Sequence, residues 1–300
     1  MFKIHKAKIA AMLLTGGMLG WTCSPAAAAV HIEGQVQAGG GPLANSTVTL
    51  WAASAGEPKQ LAQTRTGSDG HFVLGSQETP SNDAVLYLVA KGGAPTINKG
   101  SSDNPAIALL TVLGNTPPAK VAINEMTTVA SVWTNNQFLD GTAIKGPALS
   151  LRIAAGNVPN FVDLQTGGWG SAIQDPLNSG QTPTMANFAT LADVLSGCAT
   201  LVIADACDRL FIAATSPKGS APTDTLTAAQ SIARAPWYQP KRLYSLLDQF
   251  YPVPKGENLR AVPYMPYLNY APSAWVLPLK FDGGGYRAGG KAMFDSEGNF

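Results

Sequence analysis

The run Val85-Leu86-Tyr87-Leu88-Val89 is apolar at every position, and no other feature constrains the fold of this chain more tightly. Side chains alternate between the two faces of a strand, so a strand without a polar position has to be covered on both sides. It belongs at the centre of a layered structure and not at a rim. The flanking sequence supplies further strands: from Val30 to Gly93, short segments rich in Val, Thr, Leu and aromatics alternate with clusters of Gly, Pro, Asn and Asp. That is the pattern of an antiparallel β-sandwich. It predicts strands over 31–37, 47–53, 60–66, 71–75 and 84–90, with 106–112 closing the sheet. Val48, Leu50 and Ala52 fall on one face of the second. Gly67-Ser68-Asp69-Gly70 joins two of these strands as a hairpin turn, glycine supplying the positive φ of a tight connection. Asp69 and Asn45 occupy loop positions where their side chains bond the local backbone.

After Pro117-Pro118 the period changes. In 123–139, Met126, Val129, Ala130, Trp133 and Phe138 recur near helical spacing, with Asn124 or Thr127 able to cap the start. Helices are likewise predicted over 147–155, 184–196, 205–215, 223–234 and 240–249, the second of these with Phe188, Leu191, Ala192 and Leu195 as its apolar stripe. Thr184, Asp205 and Thr223 stand at capping positions and Pro240 suits a first turn. Such helices hide their stripes against one another or against the sheets, which predicts a small irregular helical domain. Asp193, Asp205, Asp208, Arg209, Asp224 and Arg234 are its tempting charges; acids near helix starts offset the dipole, and charges at helical spacing form solvated faces.

The first thirty residues have a different character. Lys3, Lys6 and Lys8 precede the apolar stretch 9–21 and then a run of alanines, the order of a secretory signal peptide with cleavage before Val30. The apolar part is too short and too broken by glycine to remain as a membrane span. Trp21 stands where a lipidation site at Cys23 needs a small residue. Loss of 1–29 removes three of the 20 Lys and Arg and none of the 19 acids, leaving 17 − 19 = −2. With 13% charged residues there is no electrostatic footprint for nucleic acid. Cys198 and Cys207 then remain, and in an exported protein two thiols at this spacing form a disulfide tying consecutive helices. A metal site is the rival reading, but no histidine lies near them.

The chain has no Gly-x-Ser-x-Gly elbow, His-Glu-x-x-His pair, phosphate loop or dinucleotide fingerprint. No catalytic residue, cofactor or metal is assigned. From 236 to 286 it carries seven of the eight tyrosines, interleaved with proline, which holds a segment extended. Trp237, Tyr238, Tyr264, Tyr267, Tyr270 and Trp275 either contact a ligand such as a sugar ring or pack an irregular connector onto its neighbour. The second use dominates the expectation, because burying aromatic surface is what stabilises such a segment. Residues 275–281 read as an edge strand despite Pro278.

Gly34-Gln35-Val36, then 41–50 (GPLANSTVTL), then 66–74 (TGSDGHFVL) resemble the carboxypeptidase regulatory-like domains, which share a transthyretin-like sandwich. The last residues, KAMFDSEGNF, resemble the opening of a blade in the NHL-repeat and streptogramin-lyase-like β-propellers. The expected architecture is α+β and multi-domain: a signal peptide over 1–29, an N-terminal antiparallel β-sandwich over 30–115, a helical domain over 116–252, a Pro- and aromatic-rich connector over 253–285, and an incomplete β C-terminus over 286–300. The resemblance implies an exported, periplasmic or extracellular, non-catalytic binding or spacer module, carbohydrate-binding-like, with a glycan or cell-envelope component as partner, and a fragment of a longer propeller protein. The alternatives are an accessory part of a propeller lyase or hydrolase whose catalytic residues lie beyond Phe300, and a complete small protein whose aromatic connector is the ligand site.

Overall fold

The computed structural model describes residues 30–97 and 102–281. The leader expected over 1–29 and the blade-like end expected over 286–300 lie outside the described residues. The chain begins with nine strands: β1 (Val30–Ala38), β2 (Gly41–Ala44), β3 (Thr47–Ala53), β4 (Lys59–Arg65), β5 (His71–Ser76), β6 (Val85–Lys91), β7 (Ala94–Pro95), β8 (Ala108–Gly114) and β9 (Lys120–Ile123). They form two sheets. One has the order β5-β1-β2-β7, with β9 added parallel to β1; the other is the antiparallel sheet β4-β3-β6-β8.

The doubly apolar strand lies inside the second sheet, as its pattern requires. Leu86, Leu88 and Ala90 of β6 join Ile32, Val36, Leu50 and Phe72 in the cluster between the sheets. Val85, Tyr87 and Val89, on its other face, join the cluster shared with the helices. At 25 cal/mol per Å² of apolar surface, each such Leu or Val contributes roughly 1.5–3 kcal/mol.

The Gly67–Gly70 turn is not a hairpin. β4 pairs with β3 in one sheet and β5 with β1 in the other, so the turn carries the chain between sheets. Its chemistry is nonetheless the expected one: Gly70 has φ +74° and the His71 N–H donates to Asp69 Oδ1.

The helical layer comprises α1 (Glu125–Asn135), α2 (Ala148–Gly156), the short α3 (Ser171–Gln174) and α4 (Pro176–Ser179), α5 (Thr184–Ala199), α6 (Ala206–Ala214), α7 (Thr225–Arg234) and α8 (Pro240–Phe250), with a two-stranded ribbon of β10 (Leu139–Asp140) and β11 (Ala143–Ile144) after α1. Asn124 caps α1, accepting from the Thr127 N–H at 2.9 Å, while Thr127 Oγ1 accepts from the Asn124 N–H. The hydroxyls of α1 also answer a sheet problem. The Leu110 and Val112 N–H groups of the edge strand β8 donate to Thr128 and Ser131, and the Ala108 N–H donates to Thr225 of α7. An edge that would otherwise expose unpaired backbone is covered by helix side chains.

Of the other expected caps, Asp224 takes the role given to Thr223, and Thr184 is a helical residue after Pro183. Asp205 bonds no N–H of α6; it pairs with Arg209 at 2.8 Å on the exposed side. The predicted strand over 275–281 does not form. Its backbone groups are taken by side chains of the helical layer, so no ladder partner is needed.

Candidate functional site

Helix α5 carries a polar residue at every third position: Thr184, Asn187, Thr190, Asp193, Ser196, with Thr200 just beyond. A spacing of three falls short of a full turn by about 60° per step, so the row winds round the helix, with successive members neighbours on its surface. All are buried, because the segment after α8 lies along them as a strap without regular secondary structure of its own. The Tyr264 N–H donates to Asp193 Oδ1 at 2.9 Å and the Leu268 N–H to Thr190 Oγ1 at 2.9 Å. Further along, the Asn187 side chain donates to the Val276 carbonyl at 3.3 Å and the Thr184 hydroxyl to the Pro278 carbonyl at 2.7 Å. Asn178 of α4 closes the row, exchanging two bonds with Lys280. Asp193 is therefore not the solvated charge its sequence position suggested, since the strap seals it from water.

The top of this row is the most unusual chemical environment among the described residues. Glu125, in the first turn of α1, accepts from the Tyr264 hydroxyl at 2.5 Å and from the Gly39 N–H at 3.0 Å. Glu125 and Asp193 both have 0% of their surface exposed. Burial pushes the Glu125 carboxyl up to about 7, against the lowering effect of the Tyr264 and Gly39 donors. Burial likewise raises Asp193 to about 8, opposed by the Tyr264 N–H and reinforced by the charge on Glu125. Asp193 Oδ2 accepts no hydrogen bond among the described residues. Burial first, and then the Glu125 carboxylate, hold the Tyr264 phenol well above its usual range; Tyr251, whose hydroxyl reaches Ser196 at 3.3 Å, is raised chiefly by burial too. Both acids stay protonated when an exposed carboxylate would be ionised, and both accept a hydrogen bond from the strap residue Tyr264.

The expected aromatic contacts divide into two groups. Trp275 is fully buried, its N–H-to-Pro236 and carbonyl-to-Trp133 bonds fixing the strap against α1. Tyr264 is the clasp just described. Tyr267 stacks under the Arg260 guanidinium at 5.9 Å and accepts from the Arg260 N–H, while Arg260 pairs with Asp248. Tyr238 lines a small gap beside Leu243 and Trp275. Trp237 and Tyr270 are 69% and 72% exposed. The six therefore do not form one row. Cys198 and Cys207 are bonded, joining the last turn of α5 to the first of α6.

Glu125 was missed in the sequence reading, yet a signal was present. It is the sole charge in 121–139, and Asp193 is the sole charge in 176–204. An isolated acid inside a long uncharged run has no solvated face to belong to, and burial with a dedicated partner is the alternative.

No helix among the described residues is long and apolar enough to cross a membrane, and no cluster of three or more His, Cys, Asp or Glu there is placed to hold a metal ion. No family model matches the chain, and no curated protein matches it. Among solved structures, a 9R-lipoxygenase from Cyanothece PCC8801 aligns at 10% identity and a TM-score of 0.20, covering 82% of this chain and 29% of the lipoxygenase. A likeness that faint carries no argument about fold or activity.

Proposed function

We propose that this protein is an exported, non-catalytic module that binds a cell-envelope glycan, its two sheets forming a transthyretin-like sandwich and its helices and strap a rigid cover. The sealing of Glu125 and Asp193 is the observation that supports this reading most. Two carboxyls with raised pKa values are the ordinary equipment of acid–base catalysis when a substrate reaches them. Here both are fully buried, and their hydrogen bonds go to Tyr264 and Gly39. Chemistry of that kind is spent on holding the strap. A disulfide fits an oxidising compartment outside the cytoplasm. The low charge of the chain suits a neutral ligand.

The test is retention without turnover. Purified protein is mixed with insoluble chitin, cellulose and peptidoglycan, the bound fraction is measured, and soluble reducing or unsaturated sugar ends are measured in the same tubes. Binding to at least one polymer with no released ends is the expected outcome. Release of ends above the buffer control would make the protein an enzyme, and failure to bind any of the three would remove the glycan reading.

A further inference from the structure

Resting on that reading, we infer that the glycan site is a polar groove running from the outer face of the first sheet, past Gln165, to Trp169, and not the exposed aromatics Trp237 and Tyr270. The argument starts from the alternation of β1. Ile32, Val36 and Ala38 point inward, which turns Glu33, Gln35 and Gln37 to the outer face. In register with Gln35 lie His71 on β5 and Ala122 on β9. Glu33 is neutralised by Lys120 at 3.5 Å, so the floor carries amides and no net charge.

The wall is a hairpin loop over 162–169. Val162 bridges Trp169, the Gly167 N–H returns to Asp163, and Asp163 Oδ1 accepts the N–H groups of Gln165 and Thr166. Those donors hold the Asp163 carboxyl below its usual range and fix the loop internally. The loop is also pinned from below. The Ala122 N–H donates to the Leu164 carbonyl at 2.8 Å, and Asn124 Nδ2 to the Gly167 carbonyl at 3.1 Å. Gly167, at φ +71°, approaches Asn124 and Ala122 so closely that a side chain there would collide with them.

Gln165, at the tip, lines two depressions, one of about 300 Å³ over Gln35, Gln37 and His71 and one of about 410 Å³ beside Trp169. Each is in the size range of small-ligand sites. The Gln165 side chain makes no hydrogen bond among the described residues, and it stands exposed. Trp169 is anchored against Phe188, with ring centroids 5.6 Å apart, and is still partly exposed. Its indole N–H is neither bonded within the described residues nor sealed from solvent. Planar amides, a hydroxyl at Thr166 and one aromatic plate, with Glu33 paired to Lys120 and Asp163 Oδ1 held by N–H groups of its own loop, match the alternating hydroxyl edges and apolar faces of a neutral oligosaccharide. A peptide strand fits less well, because the outer edge of β9 that it would extend already pairs with Leu164.

The test uses the polymer retained most strongly by the wild-type protein. Gln35→Ala, Gln165→Ala and Trp169→Ala are compared with Trp237→Ala and Tyr270→Ala, and soluble oligosaccharides of the same polymer are titrated by calorimetry. Circular dichroism and thermal unfolding check each fold. Gln35→Ala and Gln165→Ala change exposed or half-exposed side chains, so they report even if Trp169→Ala is unstable. At least a tenfold loss of affinity in the groove variants, with Trp237→Ala and Tyr270→Ala near wild type, is expected. Unchanged binding in the groove variants overturns the inference and leaves the glycan reading standing. Wild-type binding to no glycan, or only to peptides, overturns both.

Discussion

Replacing Asp193 with asparagine separates the two acids beneath the strap, and its effect is best read against pH. In the folded protein burial raises Asp193 to about 8 and Glu125 to about 7, whereas in the unfolded chain both ionise near their ordinary values of 3.8 and 4.5. Between those limits the folded state holds protons that the unfolded state has released. Stability is therefore fully present below the unfolded values and is lost as pH rises through the folded ones. Each group contributes a slope of about 1.4 kcal/mol per pH unit. From pH 5 to 6 both contribute, roughly 3 kcal/mol per unit; above that Glu125 ionises in the fold and Asp193 carries the slope on towards 8. Asp163 and Asp205, whose pKa values are lowered by donors, are ionised throughout this window and add no slope. Asparagine keeps an oxygen for the Tyr264 N–H and removes one ionisation, so the slope between pH 5 and 6 falls to about half. Urea unfolding followed by tryptophan fluorescence at pH 5, 6, 7 and 8 and constant ionic strength measures it. A wild-type profile that is flat or rises with pH, or an Asp193→Asn profile as steep as wild type, would refute the reasoning.

Two further substitutions probe the rest of the helical layer. Cys198→Ser should cost about 2–3 kcal/mol, the loop-closure value for so short a ring, and reduction should lower the wild-type melting temperature to that of the variant. Gly197→Ala places a methyl group against the Phe250 ring where α5 meets α8, and overpacking of that kind should destabilise by about 1–3 kcal/mol, seen as a lower urea midpoint with unchanged slope.

Much of the sheet content could be read before any coordinate. The expected strands over 47–53 and 84–90 match β3 and β6 to within a residue, because alternation and turn residues are local signals. Sheet membership is not local. The Gly67–Gly70 turn has all the chemistry of a hairpin, and only the register of its flanking strands reveals that they belong to different sheets. The short β2, β7 and β9 escaped for a related reason: two to four residues carry too little periodicity to stand out, and β7 and β9 are defined by partners far along the chain. The helices fared similarly. Phe188, Leu191, Ala192 and Leu195 gave α5, but the polar side of that helix looked like a solvent face. A helix reports its own spacing and nothing of what lies over it. The disulfide was legible from two cysteines alone. The roles of Trp275 and Tyr264 as anchor and clasp were not, since composition cannot tell which aromatic of a proline-rich segment is buried.

The row on α5 has a consequence for which sequences the strap tolerates. It recognises main-chain atoms, and a peptide group looks the same whatever side chain it carries. The donors it consumes are the N–H groups of Tyr264, Leu268 and, with α4, Lys280; the acceptors are the carbonyls of Val276 and Pro278. Every proline between 252 and 278 falls where no N–H is required, and Pro278 contributes only its oxygen. The strap is thus written in an alphabet of two letters, positions that must keep a hydrogen on nitrogen and positions free to lose it. Proline marks the second kind and stiffens the segment before it docks.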